Sequence, residues 1–332
     1  MRHGFRALTF SAAGCAAALL LSSAAFGQGP ASVAKTAAAT KASETKAWTA
    51  PKTVDGQPDL QGVWSNATNI PLEKPREAAP ARAGAYTNRQ ANGDLVLHYD
   101  NAQFGLDRSR NVVAEDTREY LVTTPDGHIP ALLPAAQKRI AERAAFTREH
   151  QWDGPETRPL GERCIMWPNE GPPMLSEGYN SNLQIAQGPG YVAIMQEMIH
   201  DVRIIPTDGR PHIPSGIRQW FGDSTGHWEG NTLVVDTTNF TDKVAFQRAT
   251  EELHVIERIT RVADDKIQYE FTVEDPHTWA QPWGGKIFWE KENTPIYEYA
   301  CHEGNYGMRN NLSAQRAMER KAAEEAAKKG SK

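Results

Sequence analysis

The chain has 332 residues and carries 36 Lys and Arg against 41 Asp and Glu, a formal net charge of −5. That mild acidity gives a nucleic-acid role no electrostatic footing. Walker-type phosphate loops, dinucleotide-binding glycine fingerprints and Gly-x-Ser-x-Gly elbows are missing from the sequence, which argues against nucleotide cofactors and serine-hydrolase chemistry.

Arg2 and Arg6 precede an apolar stretch over 7–26 that ends in Ala25-Phe26-Gly27, the pattern of a secretory signal peptide over residues 1–27. A lipobox at Ala12-Ala13-Gly14-Cys15 is the rival, but the apolar run continues past Cys15 to Leu21. No other segment approaches the ~20 apolar residues of a membrane span. The expectation is export to the periplasm or beyond. Residues 28–47, rich in Ala, Lys, Thr and Ser, read as a disordered spacer. A single folded domain follows over 48–311, and residues 312–332 read as a solvated helical tail without a wide apolar stripe.

Within the domain, short alternating segments bounded by turn residues recur at 60–65, 119–123, 191–206, 233–237, 253–262, 267–274, 286–291 and 296–301. The alternation Ile267, Tyr269, Phe271, Val273 is the cleanest, and Asp264-Asp265 marks a hairpin turn before it. The preceding segment carries Leu253, Val255 and Ile259, interrupted by Glu257. Only 135–146, after Pro134, reads as a helix in this region. The predicted fold is mainly β: an antiparallel lipocalin-like barrel, or a sandwich, with few short helices.

Gly62-Val63-Trp64 resembles the entrance strand of lipocalin-like barrels, and Gly226 through Val235 resembles a strand-turn-strand of the same class. With Asp59-Leu60-Gln61, Glu170-Gly171-Pro172-Pro173-Met174, residues 196–212, 226–240 and 297–307, these segments together resemble a family of secreted bacterial proteins of unassigned function. The resemblance spans nearly the whole domain. It implies neither an activity nor catalytic residues.

Without Cys15, only Cys164 and Cys301 remain, and in an oxidising compartment they are expected to pair. A Cys₂His₂ zinc site is the rival, although neither cysteine has the short Cys-x₂₋₄-Cys spacing. The bond would set residues 162–173 beside 297–306.

The densest chemistry lies in Gln196 through Pro206, where Glu197, His200, Asp201 and Arg203 interrupt an apolar stretch. Charges there are costly unless paired, so the run reads either as a functional network or as a structural ion-pair cluster. Read as one regular strand, it places Glu197, Asp201 and Arg203 on one face and His200 on the other; a β-bulge near His200 would reunite them. A second cluster, Tyr297 through Tyr306, adds His302 and Glu303.

Paired histidines with carboxylates and tyrosines are the material of general acid–base catalysis. The candidate catalytic residues are therefore His200, His302, Glu303, Arg203 and Asp201. Candidate substrate-binding residues are Glu197, Glu170, Tyr179, Tyr299, Tyr306, Trp279 and Trp283, the last two in a Trp-Ala-Gln-Pro-Trp loop suited to an aromatic cavity mouth. A metal site from His200, His212, His227 and His302 lacks the usual short spacings, so neither metal nor other cofactor is assigned. The sequence thus reads as a cofactor-independent lyase or hydrolase acting on a small aromatic, phenolic molecule by elimination or retro-aldol chemistry. Its rival is a non-catalytic carrier of such a ligand; an envelope interaction protein is a third class. Oligomeric state is left open.

Overall fold

The computed structural model describes residues 48–75, 117–176, 179–243 and 246–330. The predicted signal peptide (1–27) and spacer (28–47) lie outside the described residues. Nine strands make up one sheet: β1 (Gly62–Ser65), β2 (Asn182–Gly188), β3 (Tyr191–Gln196), β4 (Val202–Pro206), β5 (Asp223–Glu229), β6 (Thr232–Thr238), β7 (His254–Ala263), β8 (Lys266–Glu274) and β9 (Trp283–Glu292). Their order across the sheet is β4-β3-β2-β1-β9-β8-β7-β6-β5, and every neighbouring pair is antiparallel.

Local turn chemistry explains most of these neighbours. Gly230-Asn231 joins β5 to β6 in a two-residue loop, with Gly230 at φ +60. Asp264-Asp265 joins β7 to β8 as expected, beside a register shift between Arg261 and Ala263. The segment predicted as one strand over 191–206 is instead two, β3 and β4, folded back on each other with Met195 opposite Val202. Residues 119–123 contribute only an isolated bridge from Val122 to Gly285, and 296–301 forms no strand.

Period-two burial sets the core. Val192, Ile194, Ile205, Leu233, Val235, Val255, Ile259, Ile267, Tyr269 and Phe271 point inward, joined by the fully buried Trp64 and Trp289. Fully burying each such side chain stabilises the fold by about 1.5–3 kcal/mol. Trp289 stacks on Tyr269 at 4.7 Å between ring centroids, and the guanidinium of Arg261 lies 5.5 Å over Trp64.

The sheet curls until its edge strands face each other. Arg203 on β4 hydrogen-bonds Ser224 on β5, yet the two edges share no ladder, so the curl stays open along a seam. The expected mainly β, antiparallel architecture is present; a closed ring of strands is not.

Helix α1 (Pro134–His150) begins with proline, whose missing N–H is no loss in a first turn, and buries only Ala136. Helix α2 (Gly307–Gly330) has no buried residue, as a polar tail should. No helix among the described residues is long and apolar enough to cross a membrane. Cys164 and Cys301 are disulfide-bonded, with Cα atoms 5.8 Å apart.

Candidate functional site

Three polar groups stand out on this scaffold, and they occupy different faces of it. Inside the curl, Arg203 is 7% exposed and forks onto the fully buried Glu257 through Nη1–Oε1 (3.1 Å) and Nη2–Oε2 (2.6 Å). Tyr269 donates its hydroxyl to Glu257 at 2.8 Å and accepts the Met174 N–H at 2.8 Å. Burial works against the Arg203 charge, and the adjacent Glu257 carboxylate more than offsets it, so the guanidinium is held above its ordinary range. Burial, and after it Glu257, pushes the Tyr269 phenol well up. This pair ties the open edge β4 to β7 across the interior. Arg203, expected among the catalytic residues, is instead an interior clasp, because both terminal nitrogens are committed to Glu257 and Ser224.

The second group is the β3–β4 loop. A reversal here needs backbone in the left-handed region, and the sequence offers no glycine. Ile199 (φ 57) and His200 (φ 55) adopt it instead, the former a β-branched residue for which that conformation is a genuine outlier. The Gln196 N–H closes the loop on the Asp201 carbonyl at 3.0 Å.

Geometry within the loop separates its ionisable groups. Glu197 turns inward, 5% exposed, and its Oε2 accepts the Asn182 N–H at 3.4 Å. Burial pushes its carboxyl above the ordinary value, outweighing hydrogen bonds from Asn182 and Asn180, and the neighbouring Glu292 charge adds to the rise. His200 faces solvent, with Nδ1 3.0 Å from the Tyr299 carbonyl oxygen. Asp201 accepts the Val202 N–H at 3.0 Å and so starts β4. Nearby, the side-chain oxygens of Asn66 and Asn182 are buried and have no hydrogen-bond partner among the described residues.

The Tyr299 contact is the link by which the structure draws together the two expected clusters. Cys301 binds this segment to Cys164, and Asn305 Nδ2 donates to the Glu162 carbonyl at 3.3 Å, so Cys301 and Asn305 lie beside 161–164, part of the expected contact between 162–173 and 297–306. His302 and Glu303 are exposed on that segment, as is Tyr306, while Tyr299 and Tyr179 are half-buried.

Other expected residues sit elsewhere. Trp279 and Trp283, each 3% exposed, meet edge to face 5.5 Å apart in the core, and Trp283 stacks on Phe246. They pack the sheet and do not wall a cavity mouth. Glu170 is fully buried and accepts the Trp167 N–H at 2.8 Å, holding the turn before Met174.

The third group lies on the outer face of β5 to β8 and went unread in the sequence, apart from the single histidine His212. Asp223 Oδ2 lies 2.8 Å from His212 Nδ1, and Asp236 Oδ1 lies 3.1 Å from both His212 Nε2 and His254 Nε2. Glu274 closes the row, 3.5 Å from His254 Nδ1. The hydrogen bond from His254 holds Asp236 below the ordinary carboxylate range, and the same bond, against burial, raises His254. Strand alternation was the signal that could have found the row, since Asp236, His254 and Glu274 all occupy positions opposite the apolar ones. Among the described residues, no group of three or more His, Cys, Asp or Glu side chains is placed to hold a metal ion.

No protein-family model matches the chain, and no curated protein is similar to it.

Proposed function

We propose that this is an exported, cofactor-independent enzyme, a lyase or hydrolase that moves protons on a small phenolic molecule at the β3–β4 loop. The observation that carries this reading is the pairing, within four residues, of a solvent-facing imidazole with a buried carboxyl of raised pKa. With Nδ1–H donated to the Tyr299 carbonyl, the exposed His200 ring leaves the Nε2 lone pair to act as a general base. Glu197, whose carboxyl burial raises above its ordinary value, is suited to be the acid. His302, Glu303 and Tyr306, exposed on the disulfide-held segment, supply a wall and a second proton source. Asp201 positions the strand start rather than reacting.

We read the curled sheet as a lipocalin-like barrel left open at the β4–β5 seam, and the disulfide fits an oxidising compartment such as the periplasm. The carrier reading has less support, because Trp64, Tyr269, Trp289 and the Arg203–Glu257 pair occupy the interior where a ligand would ride.

Screening phenolic esters and β-hydroxy aryl compounds with purified protein tests the assignment. Turnover is expected, falling on the order of 10²–10⁴-fold in His200→Asn and in Glu197→Gln with unchanged circular dichroism. A substrate converted equally fast by both variants rejects the site, and saturable binding of such compounds without conversion favours the carrier.

A further inference from the structure

At the far end of β3 from the candidate active site, about 17–20 Å away for a strand of this length, a separate cavity of about 110 Å³ opens at the rim of the curl. Tyr191 and Trp228 line it with aromatic surface, and Thr53, Asp55, Gln57 and Thr207 line it with hydroxyl, carboxylate and carboxamide groups.

The wall is built rather than incidental. Pro189-Gly190 joins β2 to β3 in two residues, with Gly190 at φ +79, and the Tyr191 ring folds back onto the bare Cα of Gly188. A Cβ on Gly188 would come within 2.5 Å of that ring, so only glycine seats it there. Opposite, the Thr53 N–H donates to the Gln57 carbonyl (2.8 Å) and the Gly56 N–H to the Thr53 carbonyl (2.9 Å), forming the tight turn that presents Asp55. Gln187 locks this segment to β2 by accepting the Leu60 N–H at 2.7 Å and donating to the Pro58 carbonyl at 3.0 Å. The side chains of Asp55 and Gln57 have no hydrogen-bond partner among the described residues.

We infer that this rim cavity binds a single neutral sugar ring. A pyranose offers C–H faces that pack on aromatic rings and hydroxyl edges that donate to a carboxylate and exchange bonds with amide and hydroxyl groups. A plain apolar or phenolic ring would leave most of the polar lining unpaired on burial. Asp55 disfavours anionic ligands. The cavity, about 110 Å³ and open at the rim, takes one ring engaged along one side with the remainder of a glycan in solvent. The inference is independent of the acid–base reading, since no residue is shared.

Titration of the full chain with glucose, N-acetylglucosamine and their disaccharides, followed by the Trp228 indole N–H resonance, tests it. That resonance is identified by its loss in Trp228→Phe. Saturable, millimolar shifts are expected, weakened about tenfold or more in Asp55→Ala; for Trp228→Ala, which lacks the reporter, calorimetric titration should show binding weakened several-fold. Gly188→Val, by displacing Tyr191, should weaken binding as well, while Tyr191→Ala in a Gly188 background reports the same loss without crowding the turn. Turnover at the β3–β4 loop should be unchanged in all four, which separates failure here from failure there. No saturable shift with any of these sugars, binding indifferent to Asp55→Ala and Trp228→Ala, or tighter binding of phenol than of sugar would each overturn the proposal.

Discussion

At Glu257 the chain commits a carboxylate to a position solvent does not reach, and the guanidinium of Arg203 is what makes that tolerable. Removing one partner of such a pair leaves an uncompensated buried charge, which costs about 3–5 kcal/mol, whereas replacing both by apolar residues of similar volume is near neutral. Arg203→Ala should therefore lower the urea midpoint sharply, and Arg203→Met with Glu257→Leu should restore most of it. If the single and double variants lose equal stability, the clasp is not what holds β4 to β7. The outer row makes a pH-dependent contribution of a different kind. His254, raised by Asp236, contributes stability that is fully present below the ordinary imidazole value of 6.5 and is lost as pH rises through its folded value. Asp236, lowered by His254, contributes above the ordinary 3.8 and loses that as pH falls through its own folded value. The difference in denaturation midpoint between wild type and Asp236→Asn should be widest between about pH 4 and 6.5 and shrink towards pH 9; a gap that stays constant from pH 5 to 9 would remove the imidazole from the account.

Elements differ in how much of them the residues announce. The β5–β6 and β7–β8 hairpins carry Gly230-Asn231 and Asp264-Asp265, turn residues with the right conformational preferences, and the polar α2 tail reads directly from its composition. The β3–β4 reversal is hidden, because Ile199 and His200 occupy left-handed positions that local preference assigns to other residues, and the burial of Ile199 together with the backbone bond from Gln196 to Asp201 holds them there. That turn breaks the alternation by which a single regular strand sets Arg203 and His200 on opposite faces. Likewise Trp279 and Trp283 look like loop residues until β9 draws them into the core. Substitution separates strain from burial in this loop. Glycine at Ile199 relieves roughly 1–2 kcal/mol of backbone strain but forfeits about 1.5–3 kcal/mol of burial, so Ile199→Gly should be modestly destabilised. His200→Gly, at an exposed position, should match or exceed wild-type stability. A thermal melt in which both variants gain stability would show that Ile199 contributes nothing to packing. Deleting residues 313–330 should shift the same melt by no more than a few degrees, since none of them is buried.

For the molecule as a whole, the disulfide spans 137 residues, and in the chain-entropy model closing so long a loop stabilises the fold by on the order of 4–5 kcal/mol. Reduction and alkylation should lower the denaturation midpoint accordingly and, by freeing residues 297–305, loosen the Tyr299 carbonyl from His200; unchanged turnover after reduction would detach that segment from catalysis. The fold's character was legible because alternation reports burial on one side of a sheet. Its incomplete closure was not, because that depends on how nine strands are ordered in space.

Strand parity gives the open seam a further meaning. With nine strands and every neighbour antiparallel, eight reversals separate β4 from β5, so the two edges run in the same direction. A hydrogen-bonded closure would be the single parallel ladder in an otherwise antiparallel ring. The molecule substitutes side chains: Arg203 reaching Ser224, and Ile205 and Thr207 meeting Gly226. Such a joint resists sliding less than a ladder does, so pulling or thermal agitation should part the molecule here first, like a coat fastened by a clasp rather than sewn. In hydrogen exchange, seam-facing amides of β4 and β5 should trade with solvent well before those of β7 and β8 in the middle of the fabric.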